Sequence, residues 1–486
     1  MRSIQLSILA LLVIAFPSAG KNVRVRGYVT EVQSPTSFEI DDYRVMRDES
    51  LVLDFEKEDE NTEDLPKDIR VGTELEVKGE YDQNTHELKA QSIKVFATDL
   101  RKLRPRTALV EQMPDMKKVG TRWEGTFRVD GQTLVVDEAT EVSIVPNNSQ
   151  KKAIKRQEKG RKAAAKKDED DESEGDPDLQ AITKLDDIHR NMFVSYSGRR
   201  METGQIHATK LVFKDNEMTK GEARLWKSLK PKEKSFRGTS PGELRIGAQK
   251  YKTVPDAALQ KYVEDVGASL IPPVQRDLPS SDDTKIPFSF HLVENKVPNA
   301  SAYPNGVVIV HTGLFSVLEN EAQLAFVLGH EISHATQQHT LRQLEFHKKK
   351  RMALQIGMAV AAARGAYNVR DVLALTSAAI TNGYQRYLEN QADREGMEYM
   401  LNAGYDPREA PRAWKAMSLK LGDSPTNFFW STHDNNTTRR SYLMAELRTN
   451  YQGVDFSSKK KDSTQFETAR NTMLQQFGQK RIKVKH

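Results

Sequence analysis

Two histidines four residues apart, His330 and His334, are the feature that most constrains this chain. Residues four apart on an α-helix lie on one face, so the two imidazoles can hold a single metal ion. Glu331 then lies beside that ion, where a carboxylate can accept a proton from water. The preceding residues Asn320 to Leu328 carry an apolar stripe at helical spacing, which indicates that the histidines continue a buried helix. Buried imidazoles need polar partners, and a metal ion supplies one.

A tetrahedral catalytic metal site needs a third protein ligand. The metzincin spacing would place a histidine at position 340, which is Thr340. His339 lies five residues after His334, which turns it off the ligand face of a continuous helix. Glu389 begins a later helical run and Asp393 follows one turn on. We therefore predict Glu389 as the third ligand and Asp393 as the carboxylate that holds a ligand histidine. An exposed acidic helix face is the alternative interpretation of this pair.

Several segments around these residues resemble one family of zinc metallopeptidases. Residues 386–396 (RYLENQADREG) resemble the RxxExxADxxG signature of the HtpX and CAAX-prenyl-endopeptidase family. Residues 298–310 resemble its NAFAxPGG strand, and 431–433 followed by Arg439 resemble its STHP loop. The resemblance spans residues 244–450 and indicates the soluble periplasmic, BepA-like branch, because the long hydrophobic spans of the membrane members are not found in this sequence.

The resemblance implies one Zn²⁺ per chain, held by three side chains. These ligands would be His330, His334 and Glu389. Glu331 would be the catalytic base that activates water. His433 would stabilise the oxyanion or occupy the fourth metal position as a self-inhibitory plug, and packing in a loop is its alternative role. Arg439 would pair with nearby carboxylates.

The resemblance also implies a strand that binds substrate. An apolar run would lie along the cleft and pair with an extended peptide through backbone hydrogen bonds. An ordinary core strand is the alternative interpretation. The residues predicted to contact substrate are Asn299, Ala300, Val307, Val308 and Ile309.

The first twenty residues predict export. Met1-Arg2-Ser3 precedes an apolar run at residues 4–16 and then small residues at 18–20. This pattern is typical of a secretory signal cleaved near residue 19 or 20, with an uncleaved anchor as the alternative. The chain has no cysteine, so it forms no disulfide and carries no lipid-modified cysteine. A periplasmic or secreted location follows.

The chain of 486 residues suffices for about three domains. Short alternating strands in the first half predict two small antiparallel β-barrel modules of the OB type. A mainly helical α+β zincin-like metallopeptidase domain follows them. The predicted divisions are the modules at 21–100 and 101–216, a charged disordered insert at 147–184, a linker at 217–243, the peptidase domain at 244–450 and a basic, solvated tail at 451–486.

Charge and composition limit the partners. Residues 21–100 contain 11 Lys/Arg and 20 Asp/Glu, a net charge of −9 that opposes nucleic-acid binding by the first module. The basic run 347–351 precedes the apolar run 352–363, which allows contact with a membrane surface but is too short to span a bilayer. Protein or peptide substrates are expected, and the sequence indicates no oligomeric state.

The sequence is compatible with two functions. The first is an exported zinc endopeptidase that, by the resemblance, acts on misfolded or unassembled envelope proteins. The second is a non-proteolytic envelope scaffold or chaperone that acts through the β-modules. Glu331 favours the first function, because a purely structural metal site has no use for a base. A polysaccharide-binding role has less support, since Trp123 is the single tryptophan of the two modules.

Overall fold

The structure is a computed structural model that describes most of the chain. The described residues are 21–56, 68–99, 102–146, 180–181, 185–201, 203–216, 232–234, 242–246, 249–343, 384–421 and 436–478. The predicted signal at 1–20 lies outside these ranges, as do the apolar run 352–363 and most of the predicted insert.

The first β-sheet is built from strands whose apolar side chains alternate toward an interior. Its strands are β1 (Lys21–Ser34), β2 (Ser37–Ile40), β3 (Tyr43–Met46), β4 (Leu53–Phe55), β5 (Thr73–Asp82) and β6 (Glu87–Asp99). They lie in the order β3-β2-β1-β5-β6-β4, and β3 also pairs with β6. Because β3 and β4 run parallel to β6, the prediction of an entirely antiparallel module is wrong for this sheet.

The second β-sheet follows along the chain and also mixes strand directions. Its strands are β7 (Lys102–Leu109), β8 (Asp115–Val119), β9 (Arg122–Val129), β10 (Gln132–Val136), β11 (Glu141–Val145), β12 (Gln180–Ala181), β13 (Phe193–Arg200) and β14 (Ile206–Lys214). The order is β12-β11-β14-β10-β9-β8, while β13 pairs with β14 and β7. Since β14 runs parallel to β10 and β11, the antiparallel prediction is wrong here too.

Two small sheets and a set of helices follow. The sheets contain β15 (Lys232–Lys234), β16 (Glu243–Ile246) and β17 (Gln249–Lys252), and then β18 (Ser289–Val293), β19 (Ala300–Ala302) and β20 (Val307–His311). The helices are α1 (Ala257–Ser269), α2 (Pro273–Arg276), α3 (Glu321–Thr336), α4 (Arg386–Asn402), α5 (Glu409–Leu421), α6 (Asn436–Asn450) and α7 (Thr464–Gln476), with short 3₁₀ helices at Leu185–Asp187 and Thr312–Ser316. Multiple β-sheets ahead of a helical region confirm the coarse fold class. In the ranges given above, no helix has both the length and the apolar character to cross a bilayer.

Helix α3 forms where the apolar stripe of the sequence predicts it, and all of its residues are buried. Asn320 caps the helix, because its side chain accepts a hydrogen bond from the backbone N–H of Gln323. The helix then runs through the core with Leu324, Val327 and Leu328 buried. Both histidines of the opening motif are therefore carried by a rigid, buried helix.

Helices α3 and α4 approach each other closely where two glycines meet. A Cβ added at Gly329 would lie 2.9 Å from the carbonyl oxygen of Gly396. One added at Gly396 would lie 2.7 Å from the backbone nitrogen of His330. A side chain at either position would push the helices apart. The crossing places the histidine-bearing turns of α3 beside the first turns of α4.

The first β-sheet is docked on α6. The backbone N–H of Tyr28 in β1 donates to Oγ of Ser441 at 2.9 Å, and the Tyr28 ring packs edge-on against Tyr442. Arg440 pairs with Asp41 in the β2–β3 turn. Tyr28 belongs to the main hydrophobic core of the helical region rather than to the core of its own sheet. The sheet is therefore packed into the helical region.

The second β-sheet contacts α4 and α6 through buried ion pairs. Asp130, in the β9–β10 turn, lies 2.5 Å from the guanidinium of Arg394 on α4 and accepts a hydrogen bond from Tyr196. Arg200, at the end of β13, lies 3.3 Å from Glu446 on α6. Breaking a buried pair by removing one partner costs roughly 3–5 kcal/mol. These contacts fix the position of the sheet against the two helices.

The segment after residue 450 is not solvated throughout, so that prediction is wrong for the buried residues of the helix at 464–476, which are Phe466, Ala469, Arg470 and Met473. Helix α7 begins after Ser463, whose side chain caps the N–H of Phe466. Phe466 and Met473 are buried in the main core, and Arg470 donates to the carbonyl of Phe315 at 3.1 Å. This helix is not predicted from the sequence because its few apolar residues are separated by polar ones.

We expect Gly204→Ala to destabilise the chain more than Gly404→Ala. Both glycines have a positive φ, +84° and +89°, so both substitutions introduce similar backbone strain. An added Cβ at Gly204 would overlap the carbonyl oxygen of Thr449 at the end of α6, whereas nothing lies within 4 Å of one at Gly404. The free energy of unfolding should fall by about 2 kcal/mol more for Gly204→Ala, measured by urea unfolding. Equal losses would contradict tight docking of the second sheet on α6.

Candidate metal centre

The metal-binding side chains predicted from the sequence lie on two adjacent helices. Helix α3 presents His330 and His334 one turn apart, and α4 presents Glu389 in its first turn. All three side chains are buried. The structure brings one donor atom of each within 4.8 Å of the others. We call these three residues the donor cluster.

The separations in the donor cluster suit a small metal ion. Nε2 of His330 is 3.0 Å from Nε2 of His334, and the Glu389 carboxylate oxygens lie 3.5 and 3.8 Å from these nitrogens. Ligands about 2 Å from a tetrahedral ion are about 3.3 Å from each other. Two imidazoles and one carboxylate are also a donor set of catalytic zinc sites, which keep a fourth position open for water. The residues present therefore fit zinc.

Asp393 lies one turn after Glu389 and holds the outer nitrogen of His330. Its Oδ1 is 3.1 Å from Nδ1 of His330, so Nδ1–H donates outward and Nε2 faces the donor cluster. Burial opposes a charge on this ring, but hydrogen bonds to Asp393 and Glu389 raise the pKa of His330 to about 9. Burial likewise opposes ionisation of Asp393, yet the charge of Arg439 holds its pKa below the ordinary value.

Arg439, from α6, closes the site behind Asp393. Its Nε and Nη2 donate to the two carboxylate oxygens of Asp393 at 2.9 and 2.6 Å, and Nη1 lies 3.3 Å from Glu389. The guanidinium stacks 4.1 Å from the centre of the Trp414 ring, and Trp414 Nε1 also donates to Asp393. Carboxylate pairing by Arg439 is the role that the sequence predicts. Trp414 is not predicted, because no motif marks that residue.

Two further residues that the sequence analysis did not place in the site contact His334. The Tyr384 ring stacks on the imidazole with centroids 4.2 Å apart. His339 places its Nδ1 2.7 Å from Nδ1 of His334, and burial keeps the pKa of His339 well below its ordinary value. His339 is not part of the donor cluster, as the sequence predicts, and it contacts the ring nitrogen of His334 that faces away from that cluster. This contact forms because α3 ends at residue 336 and Gln338 adopts a φ of +52°. That turn brings His339 back to His334, and the residue spacing does not predict this contact.

Glu331 follows His330 on α3 and is 4% exposed. A helix turns about 100° per residue, so its carboxylate is not part of the donor cluster, but its charge acts on Tyr384, whose ring stacks on His334. A carboxylate in this position can accept a proton from water at an open metal position. The arrangement can therefore support hydrolysis. His433 lies outside the described residues, and its role stays a prediction.

The strand predicted to bind substrate is a central strand. β20 pairs in parallel with β18 on one side and antiparallel with β19 on the other. Val307, Val308 and Ile309 thus have both neighbouring strands in place and cannot pair with an added peptide, so the prediction for these three residues is wrong. Asn299 and Ala300 differ, because β19 lies at the edge of its sheet and packs against α3.

Two carboxyl groups lie where the second sheet meets α4. Glu395 accepts a hydrogen bond from Gln337 at 3.2 Å, and the partly buried Glu111 accepts one from Tyr399 at 2.6 Å. Burial, together with the charge of Glu398, raises the pKa of Glu111 to about 8. Burial and the neighbouring Glu111 raise the pKa of Glu395 well above its ordinary value. The interface therefore favours protonated carboxyls.

Comparison with known proteins finds a family match over the same region. Residues 257–447, which contain the whole donor cluster, match the model of peptidase family M48, and residues 26–94 match a domain of unknown function. The chain is 32% identical over 163 residues to the beta-barrel assembly-enhancing protease of Escherichia coli strain K12, and 30% identical over 162 residues to that of Yersinia pestis. Each match covers 32% of either chain, so the chain spans about a third of these relatives' length. It is 26% identical over 219 residues to the mitochondrial metalloendopeptidase OMA1 of Saccharomyces cerevisiae, covering 41% of this chain and 62% of the relative.

We expect Asp393→Asn to weaken zinc binding by about 10–100-fold, because an amide holds Nδ1–H of His330 less strongly than a carboxylate. Glu389→Ala should prevent stoichiometric binding, since it removes a donor. Competition with a coloured chelator measures both affinities. Asp265→Asn, at an exposed position on α1, is the matched control and should bind like the wild type. Wild-type affinity in Asp393→Asn would contradict its role behind His330.

The free energy of unfolding should fall as pH rises from about 5 to 8. Glu111 and Glu395 keep their protons when folded, whereas unfolded carboxyls lose theirs near pH 4.5, so rising pH favours the unfolded chain over this window. Glu111→Gln keeps an acceptor for Tyr399 without the titration. Relative to the wild type, its free energy of unfolding should increase by about 1–2 kcal/mol between pH 5 and pH 8, as measured by urea unfolding. Glu138→Gln, at an exposed glutamate between β10 and β11, is the control. If the free energy of unfolding of Glu111→Gln depends on pH as steeply as that of the wild type, the assignment is contradicted.

Proposed function

We propose that the chain is a zinc-dependent endopeptidase, because residues 257–447 match the model of peptidase family M48. The observation that carries the proposal is the donor cluster, with Glu331 buried next to His330 on the same helix. A zinc ion held there would activate a water molecule and polarise the carbonyl of a bound peptide. The yeast relative is named a metalloendopeptidase, which supports the same activity here.

The residues around the donor cluster have separate roles in catalysis and in metal binding. Glu331 accepts a proton from the attacking water and passes it to the departing amine. Asp393 holds the outer nitrogen of His330, and Arg439 keeps that carboxylate ionised. His433 either stabilises the oxyanion or blocks the fourth metal position, as the sequence resemblance implies.

Substrate would bind beside β19 rather than along β20. An extended peptide could pair with the edge strand β19 near Asn299 and Ala300. Backbone hydrogen bonds there would give affinity with little sequence preference. Helix α3 packs against this strand, so a peptide there would pass close to the donor cluster. A protease acting on unfolded segments would benefit from such recognition.

The substrates we propose are misfolded or unassembled proteins of a cell envelope. The signal-like run at residues 4–16 supports export to a periplasmic or secreted location. The Escherichia coli relative is named for enhancing β-barrel assembly, which supports an envelope role for this chain.

We also propose that the two large β-sheets are OB-like modules. In the first sheet, β3 pairs with both β2 and β6, which links β1, β2, β3, β6 and β5 into a ring of paired strands. In the second sheet, β13 pairs with β7, the first strand of the module, and with β14. Strand β14 pairs in turn with β10 and β11. Five-stranded barrels of this size are typical of the OB type.

The first test compares the purified chain with its Glu331→Gln variant. Both are loaded with zinc to a verified stoichiometry and given an unfolded protein such as casein. Loss of the general base should reduce cleavage by about 100-fold or more while zinc content stays the same. Glu264→Gln, at an exposed glutamate on α1, should cleave like the wild type.

The outcomes separate the two functions left open by the sequence. Cleavage by the wild type alone supports an endopeptidase with Glu331 as its base. Equal cleavage by Glu331→Gln would place the base elsewhere. Zinc binding by both proteins with cleavage by neither, and none after His433→Ala, would favour the scaffold.

A further inference from the structure

His339 lies behind the zinc-facing histidine, on the side of the ring away from the donor cluster. Nε2 of His334 points to His330, while Nδ1 of His334 lies 2.7 Å from Nδ1 of His339. One of these two Nδ1 atoms must donate and the other accept. A neutral imidazole carries one proton, so this choice decides whether His334 offers a lone pair or an N–H toward the donor cluster.

Gln391 decides the direction of that hydrogen bond. Nε2 of His339 lies 3.1 Å from Oε1 of Gln391. The Gln391 amide is oriented by other contacts: Oε1 also accepts from Arg342, and Nε2 donates to the carbonyl of Thr107. Oε1 can only accept, so His339 carries its proton on Nε2 and its Nδ1 is the acceptor. His334 must then donate from Nδ1, which leaves the lone pair of its Nε2 for a metal.

Strand β7 of the second sheet anchors this arrangement. Besides the Thr107 carbonyl bound by Gln391, the N–H of Leu109 donates to Oε1 of Gln337 at 2.9 Å. Gln337 and Gln391 also contact each other at 3.4 Å. Because these strand contacts use backbone groups, they depend on the position of β7 and not on its side chains. A hydrogen-bonded chain thus runs from the β-sheet to the metal-facing histidine.

We infer that His339 is a positioning residue for His334, and that strand β7, through Gln391, sets the proton arrangement that makes His334 a metal ligand. The inference rests on the proposed metal site and adds to it that the second β-sheet is part of that site's support. Groups that orient a ligand histidine in this way raise metal affinity by about 10–100-fold.

Zinc affinity of the full chain, measured by chelator competition, tests the inference with two variants at one position. His339→Leu removes the acceptor and should weaken binding by about 10–100-fold. His339→Asn keeps an oxygen close to the place of Nδ1 and should bind within about threefold of the wild type. Gln391→Leu should weaken binding by about three- to tenfold, because it frees the direction of the hydrogen bond. His189→Leu, at an exposed histidine, is the control.

A second measurement does not depend on the folding of any variant. Nitrogen NMR of the ¹⁵N-histidine-labelled wild type reports which ring nitrogen carries each proton. We expect the Nε2–H form for His339 and the Nδ1–H form for His334. The opposite assignment would overturn the inference, as would wild-type zinc affinity in His339→Leu. If the wild type itself binds no zinc, the proposed metal site fails, which is a different result from equal affinity in wild type and variant.

Discussion

The close crossing of α3 and α4 at Gly329 and Gly396 is the contact on which the rest of the site depends. Because neither position has a side chain, the backbones approach until the histidines of α3 face Glu389 of α4. A metal site needs its donor atoms held within a fraction of an ångström, and packed helices achieve this better than loops. Asp393 reaches His330 because α4 lies at this distance. The outer shell of Arg439 and Trp414 is then built around that carboxylate.

Helix α4 contributes to the donor cluster and also contacts the second β-sheet. One face directs Glu389 and Asp393 to the donor cluster, and another directs Arg394 to Asp130 of the second β-sheet. Charges buried in such contacts are stable only while their partners stay in place. A shift of the sheet would therefore disturb the helix that carries a proposed ligand. The hydrogen-bonded chain through Gln391 is a second connection between the same two elements.

The region that matches peptidase family M48 follows two large β-sheets along the chain. The match to family M48 begins at residue 257, whereas both large sheets end before residue 217. Their contacts with α4 and α6 show that they are not independent of that region. Tyr28 of the first sheet is buried in the main core of the helical region. The sheets are therefore part of the structure that surrounds the proposed active site, whatever else they bind.

The sequence by itself determined the local chemistry of the site. The spacing of His330 and His334, and of Glu389 and Asp393, follows from the repeat of the α-helix, so these pairs could be read from the order of residues. Tertiary structure decided the rest. It placed β20 between two strands, returned His339 to His334 through the turn at Gln338, and buried Phe466 of the tail. Each of these depends on segments far apart in the chain, or on the point where a helix stops, and such contacts leave no periodic pattern in the sequence.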